Sequence, residues 1–101
     1  MIIYNVTTKV HSSIADDWLQ WVKEEHVKDI LNTECFNNFT IVKLLETDET
    51  EGPTYAVQFH AESKALYNRY IEKFAAEMRN KAFAKWGDKF LSFRSVMQIV
   101  D

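Results

Sequence analysis

The most reactive grouping in the sequence is a histidine between two acidic residues: His26 follows Glu25 and precedes Asp29 by three positions. The surrounding apolar spacing predicts a helix, on which side chains three residues apart are neighbours. The Asp29 carboxylate would then orient the imidazole of His26 and raise its basicity, as a general base or a ligand-binding group requires. His26 would line a cavity between the helix and a sheet. The same pattern is also typical of a half-buried histidine satisfied by a neighbour, so both interpretations stay open.

A second set of polar residues is predicted on one face of the sheet, spread over different strands: Asn5, Gln58, His60 and Arg94. Such groups can converge on a ligand. They can equally form hydrogen bonds between two subunits, because polar groups buried in an interface must be paired. The three histidines of the chain are too scattered in sequence for a metal-ligand spacing, so no metal is expected.

Large aromatic residues lie on both predicted helices: Trp18, Trp21, Tyr67, Tyr70 and Phe74. They are suited to the apolar wall of a pocket for a planar ligand. In a small domain such rings also supply much of the buried apolar area, and most of them are expected in the core. Trp21 sits at the rim of the buried face and is predicted to be a cavity lip or a dimer contact.

Composition limits the function classes. A length of 101 residues is typical of one domain, predicted over residues 1–101, and 47% hydrophobic residues favour a folded protein. A net charge of −3, with 12 basic and 15 acidic residues, argues against nucleic acid as a partner. The sequence has no leader pattern and no apolar run long enough for a membrane span, so a cytoplasmic protein without membrane contact is expected. Cys35 is the only cysteine, and we expect a buried residue without catalytic use.

The first half of the chain shows a strand followed by a helix. Residues Ile2–Val10 alternate between two faces, as a half-buried strand requires. Ser12 or Ser13 is predicted to cap a helix that runs to about residue 31 or 32. Steps of 100° place one set of residues on its buried face, namely Ala15, Trp18, Leu19, Val22, His26 and Ile30.

The second half repeats the order. Residues 37–46 and 55–61 are predicted as antiparallel strands joined by the acidic loop TDETEGP. Ser63 is predicted to cap a second helix with a buried stripe that reaches Met78. The stripe loses its phase after Asn80, which predicts a separate helical turn over residues 81–86 before a last strand over about residues 89–100.

Two strand-helix-strand halves predict the ferredoxin-like α+β fold, β-α-β-β-α-β, with a four-stranded antiparallel sheet and two helices on one face. The helix-free face would carry a mixture too apolar for open solvent, namely Ile3, Asn5, Thr7, Val42, Leu44, Gln58, His60, Phe90, Arg94, Val96 and Val100. A second copy packed sheet against sheet would cover it and give a homodimer. Since both faces are partly apolar, a one-residue bulge would exchange the two sets.

Four separated segments carry a resemblance over nearly the whole chain: MIIYNVT, WLQWVKEEHVKDIL, TYAVQF and WGDKFLSFRS. Together they resemble the domain of unknown function 4286 family, whose label implies no activity. The resemblance implies the dimeric α/β-barrel superfamily, which includes cofactor-independent quinone-forming monooxygenases, muconolactone isomerases, haem-degrading monooxygenases and binding proteins. Fold-level similarity of this breadth supports dimerisation better than any reaction.

The haem-degrading members allow one comparison by residue. They are similar in having an Asn on strand one, where Asn5 stands, but they also need a Trp and an axial His on the second helix. The second helix here offers Tyr67, Tyr70 and Phe74 instead, so the iron ligand is missing and haem is not expected. No other cofactor is indicated.

Two functions remain. The first is a dimeric protein that binds a small apolar metabolite without catalysis, with candidate binding residues Asn5, Trp18, Trp21, Tyr67, His60 and Arg94. The second is a cofactor-independent enzyme, monooxygenase- or isomerase-like, in which His26 with Asp29 is the acid or base and Asn5 or Arg94 polarises the substrate. The first is favoured because no nucleophile-base pair, metal set or cofactor motif is present.

Overall fold

The computed structural model describes residues 1–101. Four strands are present, β1 (Ile2–Val10), β2 (Asn38–Lys43), β3 (Thr54–Ala61) and β4 (Phe90–Gln98). The first crossover is a long helix in three parts: α1 (Ala15–Trp21), a π-helical turn (Val22–His26) and α2 (Val27–Leu31). The second crossover consists of α3 (Lys64–Lys73) and α4 (Ala75–Trp86). No helix is long and apolar enough to cross a membrane.

The four strands form one antiparallel sheet in the order β2-β3-β1-β4. This is the predicted ferredoxin-like fold, with each helical crossover linking two strands of the sheet. The register places Tyr4 of β1 opposite Phe59 on one side and Val96 on the other. Directly opposed residues share a face, so this register assigns every strand residue to one side of the sheet.

The core lies between the helices and one face of the sheet. On β1 this face carries the even-numbered residues, and on β3 it carries Tyr55, Val57, Phe59 and Ala61, as predicted. The helices contribute a second layer of buried residues, which are Ala15, Trp18, Val22, Val27, Ile30, Tyr70, Ala75 and Met78. Both helical crossovers therefore cover the same face, and the opposite face is free of helices.

The predicted faces of β4 are exchanged. Arg94 lies opposite Val6 and Val96 lies opposite Tyr4, so both belong to the helix side of the sheet. Phe90 and Arg94 are therefore not on the helix-free face, where the sequence analysis placed them with Val96. Phe93 and Met97 take that position instead, opposite Thr7 and Ile3. The alternation itself was predicted, but both residue sets of β4 are partly apolar and hydrophobicity alone selected the wrong one.

The first helix differs from the prediction at its start. It begins at Ala15, and its N-cap residue Ile14 makes no side-chain cap. Neither Ser12 nor Ser13 is the N-cap residue, and the hydroxyl of Ser13 is hydrogen-bonded to Nδ1 of His11 at 2.8 Å. Ser63 does cap the second helix as predicted, since its hydroxyl accepts from the Leu66 backbone N–H at 3.2 Å.

The second helix breaks earlier than expected. The break is at Phe74, whose φ of −127° lies outside the helical range and separates α3 from α4. Residues 81–86 continue α4 without interruption, so the separate turn predicted after Asn80 is wrong. Phe74 and Met78 still pack on the core, which explains why one apolar stripe spans the break.

The loop between β2 and β3 is tied to the end of β1. The backbone N–H groups of Val10 and Ser12 donate to the carbonyls of Pro53 and Glu51 at 3.0 and 2.8 Å. Gly52 is buried between these contacts with a φ of +149°. A Cβ on Gly52 would lie 1.9 Å from the carbonyl oxygen of Val10. Only glycine fits this position.

We predict that Gly52→Ala destabilises the protein by about 3 kcal/mol or more, because the backbone of β1 or of the loop must move. Gly87→Ala is the matched control: it also has a positive φ, of +63°, but has open space around it. That variant meets no neighbouring atom, so its cost should be limited to the backbone strain at φ +63° and ψ −132°, about 1–3 kcal/mol, and should be smaller than that of Gly52→Ala. Urea unfolding measures both; equal losses would contradict the close approach of Gly52 to β1.

Candidate functional site

A cavity of about 380 Å³ lies between the helices and the β1-β4 side of the sheet. Fourteen of the twenty residues that line it are hydrophobic. Strands β1, β3 and β4 form its floor, and the first helix and α4 form its walls. It opens to solvent beside Arg79, Phe83 and Arg94, which line it and are exposed. Its volume falls in the range of about 300–1,000 Å³ that ligand pockets occupy.

Tyr4 and Arg94 form the polar contact of the cavity floor. Nε of Arg94 donates to the hydroxyl of Tyr4 at 3.1 Å. Burial raises the pKa of Tyr4, although the nearby guanidinium opposes that rise. The phenol is therefore neutral near pH 7 and can accept this hydrogen bond. The bond holds the Arg94 side chain against the sheet and leaves its two terminal nitrogens without a protein partner.

His26 lines the cavity at the end of the π-helical turn. Its ring stacks on the indole of Trp21, with centroids 4.5 Å apart and an interplanar angle of 22°. Residues five apart lie about 140° apart around an α-helix, so a regular helix would separate these rings. In the π turn the N–H of Val27 donates to the carbonyl of Val22, five residues back. The wider turn brings Trp21 and His26 together.

The imidazole of His26 is kept neutral. Burial, with smaller contributions from the charges of Lys81 and Arg94, lowers the pKa of His26 from its ordinary value of 6.5 to about 4, although the charge of Asp29 opposes the change. Asp29 makes no hydrogen bond to His26; its carboxylate pairs with Lys81 at 3.7 Å. The expected rise in basicity is therefore wrong, because desolvation outweighs the carboxylate. Nδ1 of His26 is buried and has no hydrogen-bond partner in the protein.

The structure divides the predicted site residues into two groups. His26, Trp18, Trp21 and Arg94 all line the cavity. The remaining ones lie elsewhere. Asp29 lies beside Lys81, and Tyr67 packs against the ring of Tyr4. The other three lie on the helix-free face, namely Asn5, Gln58 and His60. The prediction that Arg94 converges with these three residues is thus wrong, because Arg94 points to the opposite side of the sheet.

Asn5 is held within the sheet. Its Nδ2 donates to the hydroxyl of Thr7 at 3.0 Å and to the hydroxyl of Ser95 at 3.3 Å. The second bond spans from β1 to β4 on the helix-free face. The amide nitrogen of Asn5 is thus satisfied by its own subunit, and the sheet separates Asn5 from the cavity.

Five cavity residues with polar atoms were missed by the sequence analysis: Tyr4, Thr8, Arg79, Asn80 and Ser92. Tyr4 was assigned only to the buried face of a strand, whereas Tyr70 was among the aromatic residues named for a pocket wall. Arg79 lies one residue after Met78, at the edge of the stripe that was assigned to burial. The position of Arg79 beside that stripe could have indicated its role, since a long cationic side chain next to a buried residue can extend along the surface of the core.

A family model for proteins described as "Domain of unknown function (DUF4286)" matches residues 1–100. The chain belongs to this family. The match confirms the resemblance found in the sequence. No curated protein sequence matches the chain.

Solved structures with the same fold share little sequence with this member of the family. A dimeric ferredoxin-like protein from an uncultured marine organism has a TM-score of 0.69 at 11% identity, covering 99% of this chain and 95% of that chain. An ethyl tert-butyl ether d (EthD) family protein from Bacillus halodurans has a TM-score of 0.66 at 7% identity, covering 99% and 100%. An EthD-like protein from Ralstonia eutropha has a TM-score of 0.65 at 11% identity, covering 98% and 93%. These similarities establish the ferredoxin-like fold.

The helix-free face of the sheet is unusually apolar for a surface. Val42 is exposed on it at the β2 edge, and Leu91, Phe93 and Met97 are exposed on β4 at the other edge, where Phe93 is 64% exposed. Exposed apolar residues grouped along one strand in this way are typical of interaction sites. The cavity and the apolar patch therefore lie on opposite faces of one sheet.

The neutral state of His26 predicts a pH dependence of stability. The pKa of His26 is about 4 in the folded chain and 6.5 in the absence of burial, so between these values the unfolded chain binds a proton that the folded chain does not. The contribution of His26 is complete above about pH 6.5 and is lost as the pH falls towards 4. It amounts to at most about 3 kcal/mol.

The free energy of unfolding, measured in urea between pH 4 and 7, checks this prediction. The variant His26→Phe keeps a ring against Trp21 and removes the titration, so its stability should fall less over this range than that of the wild type. His11→Gln, at an exposed histidine, should follow the wild type. Parallel curves for the wild type and His26→Phe would show that His26 is not neutralised by burial.

Proposed function

We propose that the chain forms a homodimer whose subunits each bind a small, largely apolar molecule in the cavity between sheet and helices. The cavity of about 380 Å³ with mostly apolar walls carries this proposal. A volume of this size holds roughly a dozen water molecules, at about 30 Å³ each. Replacing such water by an apolar ligand lowers the free energy, because the apolar walls lose contact with water.

The few polar groups of the cavity support a ligand rather than a dry void. The terminal nitrogens of Arg94, which lines the cavity, have no partner in the protein. A few convergent polar groups in an apolar pocket are typical of small-molecule sites, where they fix the orientation of the ligand.

The aromatic wall offers a flat contact surface. Trp21 stacks on His26 and meets Trp86 edge to face, with ring centroids 5.9 Å apart. Trp21 and Phe83 both line the cavity, and Phe83 stands at its mouth with 65% of its side chain exposed. An exposed phenylalanine beside an apolar cavity favours an apolar ligand that would cover it.

Filling the cavity tests the binding proposal. Ala82 lines the cavity on α4, whereas Ala84 lies on the same helix and is exposed outside it. We expect the neutral fluorescent probe N-phenyl-1-naphthylamine to bind the wild type and Ala84→Phe with similar affinity. Ala82→Phe should weaken binding at least tenfold, because the added ring occupies the ligand space.

Fluorescence titration gives the affinities, and circular dichroism confirms that both variants are folded. No saturable binding of the probe by the wild type would contradict the proposed function. Equal affinity of the two variants would place the probe outside the cavity and would contradict it as well.

The dimer is supported by the other face of the sheet. The exposed apolar residues there need a cover, and in a two-fold dimer the same face of a second copy would supply it. One neighbour with the same fold is itself named a dimeric ferredoxin-like protein. Sheet-to-sheet packing of two copies would bury Phe93 and Met97 in the interface.

Light scattering at micromolar concentration tests the dimer. The wild type should have twice the chain mass of 11.9 kDa. Phe93→Glu should give a monomer, because the new carboxylates would be buried in the interface. Leu45→Glu is the control: Leu45 is 78% exposed in the loop after β2, so this variant should remain dimeric. A monomeric wild type would contradict the proposed assembly.

An enzyme of monooxygenase or isomerase type is the second candidate, and the position of His26 in the cavity wall favours it. Its chemistry would rest on proton transfer by His26. Burial lowers the pKa of His26 to about 4, which leaves it a weak base near neutral pH. Asp29 is engaged by Lys81 and Asn5 lies across the sheet, so Arg94 is the partner that remains in the cavity. Binding without catalysis is therefore the proposal that the surroundings of His26 support better.

A further inference from the structure

We propose that the ligand of the cavity is an amphiphilic carboxylate, an aryl or alkyl acid whose anionic group is bound by Arg79 and Arg94 at the cavity mouth. The inference rests on the proposed function, since it requires a ligand in the cavity. It adds the charge of the ligand, its orientation, and the two residues that select it.

The charged side chains that line the cavity are all positive. Its lining includes two arginines and no aspartate or glutamate. Neither arginine is paired with a carboxylate, because the ion pairs of the structure join Lys43 to Glu49 and Lys81 to Asp29 and Glu77. Two guanidinium groups beside an apolar cavity, without a protein anion, favour an anionic ligand.

Arg94 is already held in place. Tyr4 accepts from its Nε at 3.1 Å, and this contact fixes the side chain at the sheet end of the cavity mouth. The N–H groups of its two terminal nitrogens have no protein acceptor and present the planar fork that matches a carboxylate. An arginine oriented before binding loses less side-chain entropy when the ligand arrives.

The phenols beside the arginines do not neutralise them. The charges of both Arg79 and Arg94 act on Tyr4 and Tyr70, which places all four groups in one region. Burial raises the pKa of Tyr4 and of Tyr70, so both hydroxyls stay protonated near neutral pH. The region keeps its two positive charges, and the hydroxyls remain available as hydrogen-bond partners.

The position of the charges sets the orientation of the ligand. Arg79 and Arg94 are exposed residues, so a carboxylate bound by them stays at the solvent boundary and avoids the full cost of desolvation. The apolar body would extend inward along Trp18, Trp21 and Met78. A mouth that binds an anion and an interior that accepts a hydrocarbon together define an amphiphilic acid.

Three compounds with one apolar body test the charge preference: 4-phenylbutyrate, 4-phenylbutanamide and 4-phenylbutylamine. Their affinities are measured at pH 7 by displacement of N-phenyl-1-naphthylamine and by calorimetry. We expect the acid to bind at least about tenfold more tightly than the amide, since charge-assisted hydrogen bonds are the stronger ones. The amine, which carries the opposite charge, should bind most weakly.

Arginine variants locate the preference. Arg94→Gln and Arg79→Gln should each reduce the ratio of acid to amide affinity by at least about fivefold, by loss of one guanidinium. Arg69→Gln, at an exposed arginine of α3 that does not line the cavity, removes the same charge and should keep the wild-type ratio. Arg79 makes no hydrogen bond to Tyr4, so its variant tests the charge even if Arg94→Gln disturbs the sheet.

The outcomes separate this inference from the proposed function. If the neutral probe binds but acid and amide bind equally, the carboxylate is overturned and the apolar cavity stands. If the ratio falls as much in Arg69→Gln as in the two cavity variants, the preference comes from overall charge and the assignment to Arg79 and Arg94 is overturned. If no probe binds, both proposals are overturned.

Discussion

The packing of Tyr4 against the helix side of the sheet is the contact on which both core and cavity depend. Its ring meets four others, those of Phe36, Phe59, Tyr67 and Tyr70, at centroid distances of 5.6 to 6.3 Å. These rings come from three separate parts of the chain, the segment before β2, strand β3 and helix α3, and fill the space above β1 and β3. On the other side, its hydroxyl accepts from Arg94. Tyr4 thus marks the boundary between a close-packed half and an open half of the layer between sheet and helices.

The topology could be predicted because β1 and β3 each have one clearly apolar face. In β3, Val57 and Phe59 alternate with Gln58 and His60, so only one side can enter the core. The edge strand β4 offers no such contrast. Its inner face carries Arg94, whose long apolar stem lies on the sheet while its guanidinium reaches the cavity mouth. A hydrophobicity pattern treats arginine as a polar residue, so it assigned Arg94 to the wrong face of the sheet.

The site was predicted only in part, because its geometry depends on features that lack a sequence pattern. The π-helical turn adds a residue within the first helix, and no residue type in VKEEH marks it. As a result Val27 enters the core although it lies outside the predicted buried stripe, and His26 stacks on Trp21. The environment of His26 was equally hidden, since the balance between Asp29 and desolvation depends on how deeply helix and sheet enclose the ring.

The alternation of β4 links the two faces of the sheet. Phe93 lies on the apolar helix-free face, and Arg94, the next residue, faces the cavity. β4 is an edge strand that pairs only with β1, so one of its edges has no neighbouring strand within the chain. A second copy packed on Phe93 would restrict the movement of this strand and hence of Arg94. The precision with which the cavity mouth holds an anion would then depend on assembly, although no residue of the second copy needs to reach the ligand.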